Sequence, residues 1–99
     1  MKTVDAEITW ISAENGGRRN PIPIGPWYAP HIRLTPDISE LPWSIKLYVV
    51  KEISSTISQI RFELLADSIE AIEFQEKLIG GRRFWLYEGM RTVAEGVVL

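Results

Sequence analysis

Apolar and polar residues alternate over several short stretches of this 99-residue chain. Residues 4–11 show the pattern clearly, and residues 57–65 repeat it with Ile60, Phe62 and Leu64 on one face. A period of two residues is typical of a half-buried β-strand. We therefore predict six strands, at residues 4–11, 31–34, 44–50, 57–65, 83–87 and 91–99.

Residues 68–79 have a different pattern. Ile69 and Ile72 are spaced as on one face of a helix, and Gly80 follows as a stop signal. A short helix near 68–79 fits best, although residues 72–75 also alternate as in a strand. The pattern by itself leaves the two alternatives open.

A proline-rich segment separates the first strand from the rest. Residues 20–36 contain five of the six prolines, together with Trp27, Tyr28 and His31. Because proline fixes φ and lacks a backbone N–H, this segment is predicted to be a long ordered loop that leads into the strand at 31–34. Short strands punctuated by glycine and proline indicate an all-β barrel or sandwich.

Length and composition bound the function. A chain of 99 residues fits one domain, and without cysteine it has no disulfide framework. The first residues lack the apolar stretch of a secretory signal, and no apolar run reaches the ~18 residues of a membrane helix, so we expect a cytoplasmic location without membrane contact.

The net charge is −2, and residues 36–76, with three basic and eight acidic residues, carry −5. This balance permits a local nucleic-acid surface, and it argues against a strongly basic one.

Motifs for catalysis are missing from the sequence. His31 is the single histidine, and the chain has neither cysteine nor a glycine-rich phosphate-binding loop. Six acidic residues between positions 52 and 76 fit a solvated acidic face better than a pair of catalytic carboxylates. We therefore predict a protein that is not an enzyme, with no catalytic residue, no metal site and no cofactor.

Two stretches carry a more specific signal. Residues 14–21 read Glu-Asn-Gly-Gly-Arg-Arg-Asn-Pro and are followed by Gly25 and by Tyr-Ala-Pro-His at 28–31. Residues 83–98 read Arg-Phe-Trp-Leu-Tyr-Glu-Gly-Met-Arg-Thr-Val-Ala-Glu-Gly-Val-Val. Together they resemble the C-terminal β-barrel of translation elongation factor Tu, its third domain. That family shows Glu-x-Gly-Gly-Arg, then Tyr-x-Pro, and a closing Arg-Phe-x-x-x-Glu-Gly-x-Arg-Thr-Val-x-x-Gly-Val-Val.

The resemblance implies a fold and a function. It implies a six-stranded antiparallel β-barrel spanning residues 1–99 as one free-standing domain. The family's domain contacts the backbone of aminoacyl-tRNA and other translation factors, so the resemblance implies a non-enzymatic binding module in translation. The candidate RNA- or partner-binding positions that it marks are Arg18, Arg19, His31, Ser39, Glu88 and Gly89.

The sequence also departs from the family. His31 stands where the family usually has Gln, and the acidic segment after Ile69 is longer than the family's connection. An acidic insertion near an RNA-binding face is expected to repel phosphate. No GTPase domain is present in the chain, so it is not expected to bind GTP. The alternative function is a protein–protein adaptor or decoy without an RNA role, which uses exposed Trp27 and Trp43 and the acidic insertion.

Overall fold

The computed structural model describes residues 3–17, 22–37 and 39–99. Within these residues the chain forms seven strands and one α-helix. The strands are β1 (Val4–Trp10), β2 (Trp27–Tyr28), β3 (His31–Arg33), β4 (Trp43–Glu52), β5 (Ile57–Leu64), β6 (Arg83–Glu88) and β7 (Arg91–Val98), and the helix is α1 (Ile69–Glu76). The predicted strands are found within one or two residues of their expected ends.

Six of the strands close into an antiparallel barrel in the order β1–β5–β4–β3–β6–β7, with β7 pairing back onto β1. The closing pairs run from Ala6 opposite Val98 to Trp10 opposite Ala94. The predicted fold class, a six-stranded antiparallel barrel with one short helix, is confirmed.

Part of the proline-rich segment is extended rather than loop. Strand β2 pairs with β4 through Trp27 opposite Tyr48 and Tyr28 opposite Leu47, and β3 continues along the same edge of β4. Pro30 lies at the break between them and accepts a hydrogen bond from the backbone N–H of Ile45 at 3.1 Å. The prediction of a loop up to residue 31 was therefore wrong at β2, because an edge position tolerates neighbouring prolines.

The apolar residues of the alternating strands point into the barrel and form its core. The rings of Phe62 and Phe84 pack at 5.6 Å between centroids. Gly96 of β7 lies against Phe84 and Ile8, since a Cβ atom there would come within 2.3 Å of the Phe84 ring and 2.8 Å of the Ile8 side chain. This glycine is therefore required for close approach inside the barrel.

Helix α1 packs across one end of the barrel, between β5 and β6. The hydroxyl of Ser68 accepts a hydrogen bond from the Ala71 N–H at 3.2 Å and so caps the N-terminus. Ala71 and Phe74 are buried, and the Phe74 ring lies 5.8 Å from Trp43. The helical alternative for this segment is thus confirmed, and Trp43 is a half-buried packing residue rather than the exposed anchor expected above.

Candidate functional site

The barrel brings three of the candidate residues together beside the turn between β6 and β7. Antiparallel pairing of β3 with β6 puts His31 opposite Tyr87, next to Glu88 and Gly89. His31, Glu88, Gly89 and Arg91 lie around this turn at one end of the barrel, and we call this end the hairpin surface. His31 is on the Tyr87 face of the sheet, and the paired Glu88 and Arg91 are on the other face. His31 and Glu88 are half-buried there, whereas Gly89 and Arg91 are exposed.

Glu88 is held in place by an aromatic pair. The Tyr28 hydroxyl donates a hydrogen bond to the Glu88 carboxylate. The Tyr28 ring in turn lies 6.3 Å from the Trp10 ring, whose indole N–H donates to the Ser58 hydroxyl at 2.9 Å. This chain of contacts connects β2, β1 and β5 to the end of β6, so the carboxylate occupies a defined position.

The backbone conformation at position 89 favours glycine. Its φ is 61°, in the left-handed region that residues with a Cβ atom rarely adopt. The turn that it forms pairs Glu88 with Arg91 across the hairpin. A Cβ atom at position 89 would have no heavy atom within 4 Å, so the space beside this turn is open.

Arg91 was not among the predicted site residues. It lines a surface cleft of 200 Å³ together with Ala13, Gly16 and Gly17. The signal that marks it in the sequence is its place just after the Glu-Gly turn, where a short hairpin sets it opposite Glu88. It adds a cation to the hairpin surface, which otherwise has His31 as a side-chain donor.

The predicted residues Arg18 and Arg19 lie outside the described residues. The turn that leads to them is structural at Gly17, because a Cβ atom there would come within 1.8 Å of the Ile11 carbonyl oxygen. Gly17 also donates its N–H to the Ser12 carbonyl at 2.8 Å. The Gly-Gly part of this motif is thus explained by folding.

Ser39 lies apart from the other candidates. Strand β3 ends at Arg33, which pairs with Trp85, so Ser39 follows from the end of β3 that is away from the Glu88–Gly89 turn. The backbone N–H of Ser39 donates a hydrogen bond to the Asp37 carboxylate at 2.9 Å. This bond lowers the pKa of Asp37, and the Ser39 hydroxyl and the Arg33 charge act in the same direction. The polar groups of Ser39 therefore stabilise a local turn.

The acidic insertion does not adjoin the Glu88–Gly89 turn. Helix α1 connects to β6 at its Arg83 end, and the turn is at the other end of this six-residue strand. Such a strand spans about 17 Å at roughly 3.3 Å per residue, more than the ~10 Å Debye length at 0.1 M salt. The expected repulsion of phosphate by the insertion is therefore largely screened at this turn.

The described residues contain neither a metal-ligand cluster nor a membrane-spanning helix. No group of three or more metal-ligating side chains occurs in the part of the chain that the structure describes. Among the helices of these residues, none has the length and apolar character needed to cross a membrane.

Comparisons with known proteins did not identify a family. The chain matches no protein-family model, and no curated protein matches it.

Proposed function

We propose that this chain is a non-enzymatic binding module related to the third domain of elongation factor Tu, which contacts tRNA or a translation factor through its hairpin surface. One observation carries the proposal. The two stretches with the resemblance are far apart in the sequence, and they meet where His31 lies beside the Glu88–Gly89 turn. The strand pairing thus places candidates from both stretches at one end of the barrel.

The donors of the hairpin surface suit a nucleic-acid backbone, and its Glu88 carboxylate would have to face ribose hydroxyls, because it repels phosphate. The Arg91 guanidinium and the His31 ring supply N–H donors for phosphate and ribose oxygens. Gly89 permits close approach, because it has no side chain. Contacts of this kind position an RNA helix without reading its sequence.

Binding of labelled aminoacyl-tRNA, measured by fluorescence anisotropy at several salt concentrations, tests the proposal. If Arg91 and the candidates Arg18 and Arg19 engage phosphates, the logarithm of the association constant should fall with log salt with a slope of roughly −2 to −3. Absence of binding at low salt would exclude the RNA contact.

Two substitutions localise the contact. Arg91→Ala should weaken tRNA binding and make the salt slope shallower by about 1, whereas Arg82→Ala, at the α1 end of β6, should change neither. His31→Gln should retain binding that His31→Ala weakens. Equal effects of Arg91→Ala and Arg82→Ala would argue against the hairpin surface.

The partner could instead be a translation factor. Size-exclusion chromatography with a translation GTPase that lacks its own C-terminal barrel tests binding to such a factor. Co-elution that Arg91→Ala abolishes and Arg82→Ala leaves intact would support it. Separate elution, together with absent tRNA binding, would remove the proposed role in translation.

The second candidate, a protein–protein adaptor without an RNA role, is favoured by Trp27. Its side chain is 58% exposed, and the Lys46 ammonium lies 5.3 Å from its ring centroid. Tryptophan is a common anchor of protein interfaces. A stoichiometric protein partner that Trp27→Ala releases, combined with no affinity for tRNA, would favour this candidate over the first.

A further inference from the structure

An apolar groove runs between helix α1 and the end of strand β5. Its volume is 420 Å³. Buried Leu64 and Ala71 line it, together with Ala66 and Ile72. Ile72 is 54% exposed, and Ile69, one helical turn earlier, is 73% exposed. Contiguous exposed apolar surface of this kind is typical of a protein-interaction site.

The rim of the groove is acidic. Asp67 and Glu76 line it from the two ends of α1, and Glu73 lies between them along the helix. Between Arg61 and Lys77 the sequence has five acidic residues and no basic one. Within the described residues, none of these three carboxylates forms a salt bridge. Apolar surface is thus bordered by carboxylates that no salt bridge within the described residues engages.

We propose that this groove binds a basic amphipathic helix of a partner protein. The apolar face of such a helix would cover Ile72, and its Lys or Arg residues would pair with Asp67 and Glu76. The sign of the charge selects this occupant. RNA would be repelled by the carboxylates, and a second copy would bring two acidic rims together. The groove is distinct from the hairpin surface, so the proposal goes beyond the RNA contact and is tested independently of it.

The geometry specifies the spacing in the partner. The eight residues of α1 span about 12 Å at 1.5 Å per residue. Basic residues that reach both Asp67 and Glu76 therefore lie about two helical turns apart, with apolar residues three or four positions apart between them. A segment with this pattern is the partner motif that the groove fits.

Calorimetric titration with a synthetic Leu/Lys peptide of this pattern tests the proposal. The peptide should bind and should bind more weakly as salt increases, because the paired charges are exposed. A Leu/Glu peptide with the same leucine positions should not bind. Failure of the Leu/Lys peptide to bind, or equal binding of both peptides, would overturn the proposal.

Matched variants distinguish binding of the peptide in the groove from unspecific attraction of a basic peptide to an acidic protein. Ile72→Ser should weaken binding about tenfold, as expected for loss of an apolar anchor. Ile53→Ser removes an isoleucine of similar exposure, 49%, from the turn at the opposite end of β5, and should leave affinity unchanged. Equal weakening by both variants would contradict the assignment.

The acidic rim is tested in the same way. The double variant Asp67→Asn and Glu76→Gln should weaken binding about threefold to tenfold and flatten its salt dependence. The control, Glu14→Gln with Glu52→Gln, removes two exposed carboxylates elsewhere and should have little effect. If both pairs weaken binding equally, the interaction depends on net charge and the proposed groove contact is wrong.

A measurement on the unaltered protein does not depend on the folding of any variant. On addition of the Leu/Lys peptide, backbone amide signals of residues 66–76 should shift in NMR spectra, while those of residues 53–56 stay in place. Shifts confined to the second range would overturn the proposal. So would concentration-dependent self-association through residues 66–76 in sedimentation experiments, since a second copy would then be the occupant.

Discussion

Arg33 and Tyr87 bring polar atoms into the protein interior without giving all of them partners. The Arg33 guanidinium lies 4.3 Å from the centroid of the Tyr87 ring, and its Nε donates to the Glu40 carbonyl at 2.8 Å. One terminal nitrogen of Arg33 and the Tyr87 hydroxyl are buried without a hydrogen-bond partner in the described structure. The ring contact offsets part of the desolvation cost of the cation.

Removing the unpaired hydroxyl should therefore not weaken the protein. In Tyr87→Phe we expect a free energy of unfolding, from urea denaturation, that is unchanged or higher by up to about 1 kcal/mol. Tyr28→Phe is the matched control: it removes a hydroxyl that donates to Glu88, and should lower that free energy by about 1 kcal/mol. A larger loss in Tyr87→Phe than in Tyr28→Phe would contradict this account.

The carboxyl of Asp37 gives a pH-dependent prediction. The Ser39 N–H, then the Ser39 hydroxyl and the Arg33 charge, favour the ionised form and lower the pKa of Asp37. A group whose pKa is lower in the folded state stabilises it above the unfolded pKa of about 3.9, and this stabilisation disappears as pH falls through the folded value.

NMR titration of the Asp37 carboxyl should therefore give a midpoint below that of an ordinary aspartate. Any difference in stability between wild type and Asp37→Asn that comes from ionisation should be present at neutral pH and should decrease in acid. A midpoint at or above the ordinary aspartate value would show that the Ser39 contact does not form in solution.

Strand β7 gives a prediction for a whole element. Ala at position 96 would place its Cβ against the buried Phe84 ring and Ile8, so Gly96→Ala should lower the free energy of unfolding by about 1–3 kcal/mol. In the control Gly80→Ala the atom nearest to the added Cβ would be the Leu99 carbonyl oxygen at 3.6 Å, an ordinary contact, and a change within about 0.5 kcal/mol is expected. Thermal or urea unfolding of both variants measures this difference. Equal free energies of unfolding for Gly96→Ala and Gly80→Ala would mean that the barrel adjusts at β7.

The elements differed in how far local sequence determined them. Strands such as β5 could be predicted because alternation records which face is buried. Strand β2 could not be, since its two residues depend on pairing with β4 and are flanked by prolines. Helix α1 was ambiguous because its inner face needs only Ala71 and Phe74 against the barrel, a short signal that also fits alternation.

At the scale of the molecule, closure of the barrel was predictable, and the register in which its strands pair was not. The strand pattern left a barrel and a sandwich open, and the resemblance indicated the barrel. The meeting of His31 with the β6–β7 turn depends on a pair of residues 56 positions apart, His31 and Tyr87, and no local pattern specifies that pairing. The same limit explains why Ser39 was grouped with the other candidates and why the acidic insertion was expected beside them.

Two surfaces on one barrel should act independently. We expect Ile72→Ser to leave the tRNA dissociation constant within about twofold of wild type, and Arg91→Ala to leave the affinity for the Leu/Lys peptide equally unchanged. Anisotropy and calorimetry on the same two variants measure this. Reciprocal weakening would mean that the surfaces are coupled through the barrel.

The pairing of β2 has a consequence for solubility during storage or overexpression. In the described sheet β2 has one neighbour, so a strand from another molecule could add there. Its available edge is two residues long, between Pro26 and an Ala29–Pro30 step, and neither proline has an N–H to offer an incoming strand. Fibril growth by edge addition is therefore opposed at this place by the same prolines that interrupt the strand.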